Sequence, residues 1–238
     1  MTSLSTKTKI LVGLAVALGA GILLQVPLTW GHPVYGRLTG TLLVAVFAAR
    51  LRVSLPRITG SMSVNLPFIL LAVGELNLAE ALLIAGASTL VQCLWSESSQ
   101  QRPVKIMFNV SVMLMATEAA WLTLRATENS GLGLALGALA YLLVNTIPVA
   151  AIIVFTENGR LFATWKRMLQ LTFPYYLLAA GVAGLAKLAT HAFDWYVPLL
   201  ILPLMFLVQR SFALYFQTLR DSMEQQKAFA MGAGAGRS

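Results

Sequence analysis

The chain has 238 residues, of which 58% are hydrophobic and only 11% are charged, and its mean hydropathy is +0.76. Soluble domains carry about 25% charged residues, and one core cannot bury this much apolar side chain, so the composition excludes an ordinary soluble protein. The formal net charge is +8, but the basic residues cluster in particular loops, which indicates membrane orientation and not nucleic-acid binding. The single cysteine, Cys93, excludes an intrachain disulfide.

Apolar runs long enough to cross a bilayer recur along the whole chain. A transmembrane helix needs about 20 apolar residues. The first run follows Lys7 and Lys9 without a convincing small-residue cleavage site, so we expect an uncleaved first span. The fold class that we predict is all-α, a polytopic transmembrane helical bundle of seven to eight membrane segments with both termini cytoplasmic. Its predicted spans outside the middle of the chain are Ile10–Leu28, Val34–Ala49, Ile106–Leu124, Leu132–Phe155, Phe173–Thr190 and Val197–Ala213.

The apolar stretch Ser61–Trp95 decides the topology, because it is broken once, at Gly74–Asn77. A single crossing would place the basic loop after Glu157 and the basic C-terminal tail outside, against the positive-inside tendency. Two short helices, about 61–74 and 78–95, that meet at the outer surface place fourteen of the 17 basic residues inside. The three basic residues that then face outward are Arg37, Arg125 and Lys187. We therefore predict two crossings, with the first helix tilted or embedded among its neighbours.

The tip of this hairpin carries polar residues that have two interpretations. Asn77-Leu78-Ala79-Glu80 fits a capping box, in which Asn77 and Glu80 satisfy the first N–H groups of a helix. In the functional interpretation the same side chains line an outward-facing ligand site. Aromatic residues at the predicted outer boundary fit an interfacial belt.

Ionisable groups inside the membrane are costly and therefore point to function. Glu118 lies about seven residues, or about 10 Å, inside the outer end of its span, and Arg37 has a comparable depth, so we hypothesise an Arg37–Glu118 pair. Alternatively, Glu118 is protonated or lines a small wet crevice, and Arg37 extends outward. The complete set of candidate ligand-binding residues is Arg37, Glu75, Asn77, Glu80, Glu118, Asp194 and Trp195.

Signatures of catalysis and metal binding are lacking in the sequence. The histidines, His32 and His191, have no cysteine or carboxylate cluster at ligand spacing beside them. There is no phosphate-binding glycine loop, no HExxH and no GxSxG. We therefore predict no enzyme activity, catalytic residue, metal site or cofactor. The GxxxG patterns at Gly36–Gly40 and Gly133–Gly137 predict close helix contacts.

The chain divides into three predicted regions: a transmembrane bundle (1–213), a cytoplasmic amphipathic exit helix (214–230) and a disordered Gly/Ala-rich tail (231–238). Apolar residues in Phe212–Met223 recur at three- and four-residue steps, and predict a surface for a homodimer or a signalling partner. Phe162–Gln170 mixes cations with aromatic residues, which predicts an interfacial helix. The lipid bilayer is an expected partner. We expect no binding to nucleic acid. The expected location is the cell inner (plasma) membrane, as a multi-pass protein.

Several stretches together resemble the MASE-type N-terminal membrane sensor regions of bacterial diguanylate cyclases and HD-type cyclic-di-nucleotide phosphodiesterases. They are Ser61-Met62-Ser63 before Leu66-Pro67-Phe68, the broken hairpin through Leu94-Trp95, the pair Phe108-Asn109, and Leu199–Lys227. In that family the exit helix leads into a GGDEF or HD catalytic domain, whereas here a Gly-rich tail follows. The resemblance thus implies a stand-alone sensory and signalling membrane module that acts through a partner.

The alternative interpretation is a substrate-binding membrane subunit of a small-molecule, vitamin-type transporter. The chain is similar to such subunits in being a compact helical bundle of about 200 residues, and those subunits have an outward-facing pocket. A third interpretation, a membrane enzyme, has almost no residue support.

Overall fold

The computed structural model describes residues 5–31, 33–54, 61–95, 103–128, 130–157, 159–193 and 196–235, and the structural statements below concern these residues. Within them the chain forms eight α-helices and one short antiparallel hairpin, so the all-α prediction is confirmed. The elements are α1 (Thr6–Thr29), α2 (Tyr35–Ala48), β1 (Arg52–Ser54), β2 (Ser61–Ser63), α3 (Leu66–Glu75), α4 (Leu78–Leu94), α5 (Pro103–Ala126), α6 (Gly131–Glu157), α7 (Leu161–Phe193) and α8 (Val197–Ala235).

Five of the described helices, α1, α5, α6, α7 and α8, are long and apolar enough to cross a membrane. They are compatible with a multi-pass integral membrane protein. The other three helices, α2, α3 and α4, have 14, 10 and 17 residues. At 1.5 Å per residue they are about 21, 15 and 25 Å long, which is less than the hydrocarbon thickness of about 30 Å. The number of complete crossings therefore stays a prediction.

The break predicted inside Ser61–Trp95 is present, because α3 ends at Glu75 and α4 begins at Leu78. The first helix is shorter than the predicted 61–74. Its first three residues instead form β2, whose Met62 pairs with Val53 of β1. The helix begins only at Leu66, beside a proline in its first turn, where the missing N–H of proline costs no hydrogen bond.

Helix α3 forms the centre of the bundle. Every residue from Leu66 to Val73 is buried, and the helix packs against α2, α4, α5, α6 and α7. A helix that ends within the bilayer is tolerated only where protein surrounds it, because lipid cannot satisfy the free backbone groups at its ends. Burial on all sides therefore explains how a ten-residue apolar helix is stable here.

Two glycines allow helices to approach closely. A Cβ added at Gly19 of α1 would lie 2.6 Å from Ser111 Cβ of α5, and one at Gly137 of α6 would lie 2.9 Å from the carbonyl oxygen of Ala120. The close contact predicted for the Gly133–Gly137 pattern is therefore present at Gly137. At Gly36 an added Cβ would meet no atom within 4 Å, so Gly36 does not mark a close contact.

The last two helices extend well beyond the thickness of a bilayer. Helix α7 has 33 residues and contains both the predicted interfacial stretch and the following span without a break. Helix α8 has 39 residues, or about 59 Å, and it continues through the predicted exit helix to Ala235. It therefore includes residues 231–235, which the sequence predicted to be disordered.

Candidate functional site

The end of the bundle at which α3 stops and α4 starts, here called the tip end, carries most of the candidate residues. It contains the last turns of α1, α5 and α7 and the first turns of α2, α4 and α8, since helices in this chain alternate in direction. Under the predicted topology the tip end faces outward. Asp194 and Trp195, two of the candidate residues, lie outside the described residues, as does His32.

An ion pair closes one side of the tip end. Arg37 Nη1 of α2 lies 3.8 Å from Glu75 Oε2, at the last residue of α3. The Arg37 side chain is 36% exposed and that of Glu75 is 17% exposed, so the pair lies at the edge of the packed bundle. Arg37 thus has Glu75 as its ion-pair partner within the described residues, and not Glu118 as hypothesised.

Glu118 has a different neighbour. Its side chain on α5 lies near the side chain of Gln25 on α1. Two turns further along α5, the Arg125 guanidinium lies over the Trp121 ring, 4.9 Å from its centroid. The sequence predicted the depth of Glu118 but not the helix that it faces.

A small cleft surrounds the Arg37–Glu75 pair. Besides these two residues it is lined by Thr41, Leu71, Ala72, Leu76, Thr190 and Pro198, which belong to or adjoin α2, α3, α7 and α8. Its volume is about 10 Å³, which is room for about one water molecule. Sites for small organic ligands measure about 300–1,000 Å³. In this conformation the cleft can hold a water molecule but no metabolite.

The capping box predicted at the start of α4 is confirmed. The Glu80 N–H donates to Asn77 Oδ1 at 2.9 Å, and the Asn77 N–H donates to Glu80 Oε2 at 3.0 Å. Glu80 is 3% exposed, and its second oxygen, Oε1, has no hydrogen-bond partner among the described residues. The capping role therefore accounts for the side-chain oxygen of Asn77 and for half of the Glu80 carboxylate.

Lys187 and Thr190 also belong to the tip end, although we did not count them among the candidate ligand-binding residues. An added Cβ at Gly74 would lie 3.5 Å from Lys187 Cδ, so the lysine stem of α7 packs along the last turn of α3. A cation there is favourable because the carbonyl end of a helix carries partial negative charge. The signal in the sequence was a second cation placed, like Arg37, just inside the outer end of a span.

The candidate residues thus form separate small groups, and among the described residues no ion pair or hydrogen bond joins one of these groups to another. Arg37 pairs with Glu75 and Asn77 with Glu80, whereas Glu118 lies near Gln25. Among the described residues no three of the side chains His, Cys, Asp and Glu come together as a metal site would require.

A second feature, deeper in the bundle, was not indicated by the sequence. The Tyr175 hydroxyl of α7 lies near the backbone of Leu66 at the start of α3, and both residues belong to the same buried cluster. The Tyr175 ring is nearly perpendicular to the Phe212 ring of α8, with centroids 6.0 Å apart. The Phe212 ring also contacts the Phe216 ring, with centroids 5.9 Å apart. Edge-to-face aromatic contacts at this distance are favourable.

Two asparagines make the cross-helix hydrogen bonds that we expect for polar groups within spans. Asn145 Nδ2 of α6 donates to the Tyr176 hydroxyl at 2.6 Å, and Asn109 Nδ2 of α5 donates to Cys93 Sγ at 3.6 Å. Tyr176 lies beside Tyr175, with ring centroids 6.2 Å apart. The polar groups of α6 therefore fix the position of the aromatic pair on α7.

The comparison with known proteins found no matching family model, no matching curated protein and no matching solved structure. A function for the chain consequently has to be argued from the contacts described above.

Proposed function

We propose that the protein is a sensory module of the cell inner membrane that responds to a change at its tip end and acts through a cytoplasmic partner of α8. The observation that supports this most directly is the position of Tyr175. Its hydroxyl lies near the first turn of the central helix α3, with which it shares a buried cluster, and its ring contacts Phe212 of α8. One residue therefore connects α3 with the helix that leaves the bundle.

The first step of the proposal is that α3 acts as a rigid connector. Its C-terminal residue, Glu75, pairs with Arg37 in the cleft, and its first residue, Leu66, packs beside Tyr175. Close-packed interiors transmit strain because they have few voids into which side chains can relax. Breaking or strengthening the ion pair at one end of α3 would thus be felt about 15 Å away at its other end.

The second step carries the change to α8. Phe216 is 2% exposed and packs against Leu171 of α7, together with Phe212, Ala213 and Leu219. A shift of Tyr175 would alter this packing, because Phe212 contacts both Tyr175 and Phe216. Such a mechanism requires two arrangements of α8 against α7 that are close in free energy.

The proposed partner surface is the face of α8 that α7 leaves uncovered. Within Phe212–Met223, Phe212 and Phe216 pack inside the chain, whereas Tyr215 is 59% exposed. A signalling protein or a second copy of the chain would contact α8 through Tyr215 and its neighbours on that face. This proposal agrees with the resemblance to MASE-type sensor regions.

The transporter alternative receives no support from the cleft, whose volume of about 10 Å³ is far below that of a metabolite site. We propose no enzymatic activity. The proposed stimulus is therefore small: a change of proton, ion or membrane state that alters the Arg37–Glu75 pair.

The experiment measures whether removing the Arg37–Glu75 ion pair at the tip end changes the packing of α8 against α7. In the full chain with Cys93→Ala, Phe216→Cys provides a thiol at a buried position, and Tyr215→Cys provides the exposed control. Each is combined with Glu75→Gln, and the rate of maleimide labelling is measured in membranes. We expect Glu75→Gln to change labelling at position 216 at least threefold and to leave labelling at position 215 unchanged.

Adding Tyr175→Phe, which removes the hydroxyl beside the first turn of α3, should abolish the effect of Glu75→Gln at position 216. Equal labelling rates with and without Glu75→Gln would overturn the proposal. If Phe216→Cys fails to fold, hydrogen exchange of the segment 212–223 in the otherwise native chain provides the same comparison. Unchanged exchange in Glu75→Gln would then count against the proposal.

A further inference from the structure

An apolar groove lies between α2 and α8, away from the tip-end cleft. Its lining residues are all apolar: Phe47, Leu51, Leu202, Pro203, Phe206 and Leu207. Its volume is about 380 Å³. The groove exists because α2 ends at Ala48 after only 14 residues, whereas α8 continues, so the side of α8 below α2 is left uncovered.

A cation stands at one end of this groove. Arg210 follows Leu207 by three residues and Phe206 by four, which places it on the same face of α8, about 4.5 Å further along the axis than Leu207. Arg210 is exposed, and none of the carboxylates in the described part of the chain forms an ion pair with it. Strand β1 also packs against α8, so the β-hairpin borders this end of the groove.

An apolar groove with a cation beyond one end matches an amphiphile with an apolar chain and an anionic head. We propose that the α2–α8 groove binds an anionic phospholipid, with an acyl chain along the lining residues and the phosphate at Arg210. A zwitterionic lipid would fill the groove equally well, but its headgroup would be attracted less strongly to Arg210. The predicted topology places Arg210 at the cytoplasmic surface, where anionic lipids concentrate.

This inference is independent of the sensory role. A lipid bound here would touch α8 next to its exit from the bundle, whereas the proposed stimulus acts at the tip end. Failure of either proposal would leave the other standing, since the labelling experiment tests the tip end and the experiment below tests lipid binding by purified protein.

The test is native mass spectrometry of the purified full chain with phosphatidylglycerol or phosphatidylcholine of identical acyl chains. We expect the wild-type protein to retain one phosphatidylglycerol more tightly than any phosphatidylcholine. Arg210→Gln should weaken phosphatidylglycerol binding about fivefold and leave phosphatidylcholine unchanged. Leu207→Trp, which fills the groove, should weaken both lipids. If that variant does not fold, the smaller filling change Leu202→Phe replaces it.

Matched controls lie on α7, outside the groove. Arg167→Gln removes an exposed cation and Leu185→Trp enlarges an exposed apolar residue, and neither should change retention of the lipid. Equal binding of the two lipids, or equal losses in the controls, would indicate only a non-specific lipid annulus and overturn the proposal. A dimer that Leu207→Trp dissociates would also overturn it, because the occupant would then be a second copy of the chain.

Discussion

The Tyr175 side chain of α7 packs with Leu66 in one buried cluster, and its hydroxyl lies near the backbone at the start of α3. No side chain at the N-cap position of α3 makes a capping hydrogen bond. The first N–H groups of a helix otherwise lack partners, and in a lipid-embedded bundle water is not there to replace them.

Tyr175→Phe should lower the free energy of unfolding by about 0.5–1.5 kcal/mol, because it removes a buried hydroxyl beside the first turn of α3, together with the interactions of that hydroxyl, while preserving the ring. The measurement is thermal or denaturant unfolding in detergent. Tyr215→Phe, at an exposed position of α8, is the control and should change stability by less than about 0.5 kcal/mol. Equal effects of the two variants would contradict the role of the hydroxyl.

The ion pair at the tip end can be tested with a double-mutant cycle. Arg37→Gln and Glu75→Gln should show a coupling energy of about 0.5–1 kcal/mol, the range for partly exposed pairs. The parallel cycle of Arg37→Gln with Glu118→Gln should be additive within about 0.5 kcal/mol. Coupling in the second cycle and none in the first would restore the pairing that the sequence suggested.

Asn77→Ala should destabilise the protein by about 1 kcal/mol, because the Glu80 N–H loses its capping acceptor. Asn77→Asp keeps an oxygen at the same place and should retain most of the stability. Unfolding in detergent compares the two variants with the wild-type chain. A loss as large in Asn77→Asp as in Asn77→Ala would mean that the amide group has another role than capping.

Gly19→Ala should destabilise the contact between α1 and α5 by about 1–3 kcal/mol, because the new methyl group overlaps Ser111. The same helix supplies the control, since an added Cβ at Gly21 would meet no atom within 4 Å. Gly21→Ala should therefore be neutral or slightly stabilising. If the thermal midpoints of the two variants shift alike, helix propensity and not packing governs this position.

The predicted orientation has its own test in intact cells with Cys93→Ala as the background. Ser130→Cys, between α5 and α6, should react with a membrane-impermeant maleimide from outside. Arg160→Cys, before α7, and Arg220→Cys on α8 should react only after permeabilisation, because the predicted topology places the basic side in the cytoplasm. The reverse pattern would invert the topology and move the cleft to the inner surface.

The sequence predicted those features that carry a local signal. The break after α3 was predictable because Asn77 and Glu80 stand at capping-box spacing, and the cross-helix role of Asn145 followed from a polar amide within an apolar span. Strand β2 was missed because three residues contain too little alternation to be distinguished from a helix start.

The partner of Arg37 was missed for a geometric reason. Hydropathy gives the depth of a residue along the membrane normal, and Glu75 and Glu118 both lie near the outer end. It does not give the angular order of the helices in the bundle, which decides that α2 meets α3 here and that α5 meets α1. The contact of Tyr175 with Leu66 joins residues more than a hundred positions apart and has no local signature.

Because α8 is long and unbroken, a small tilt of its axis produces a large displacement at its C-terminal end. From Pro203, where the missing N–H lets a helix bend most easily, to Ala235 the axis measures about 48 Å. A tilt of about 5° at the proline would displace the far end by about 4 Å, close to the diameter of a methyl group. If sub-ångström repacking beside Phe212 tilts the helix in this way, the end of α8 moves far enough to open or close a docking surface.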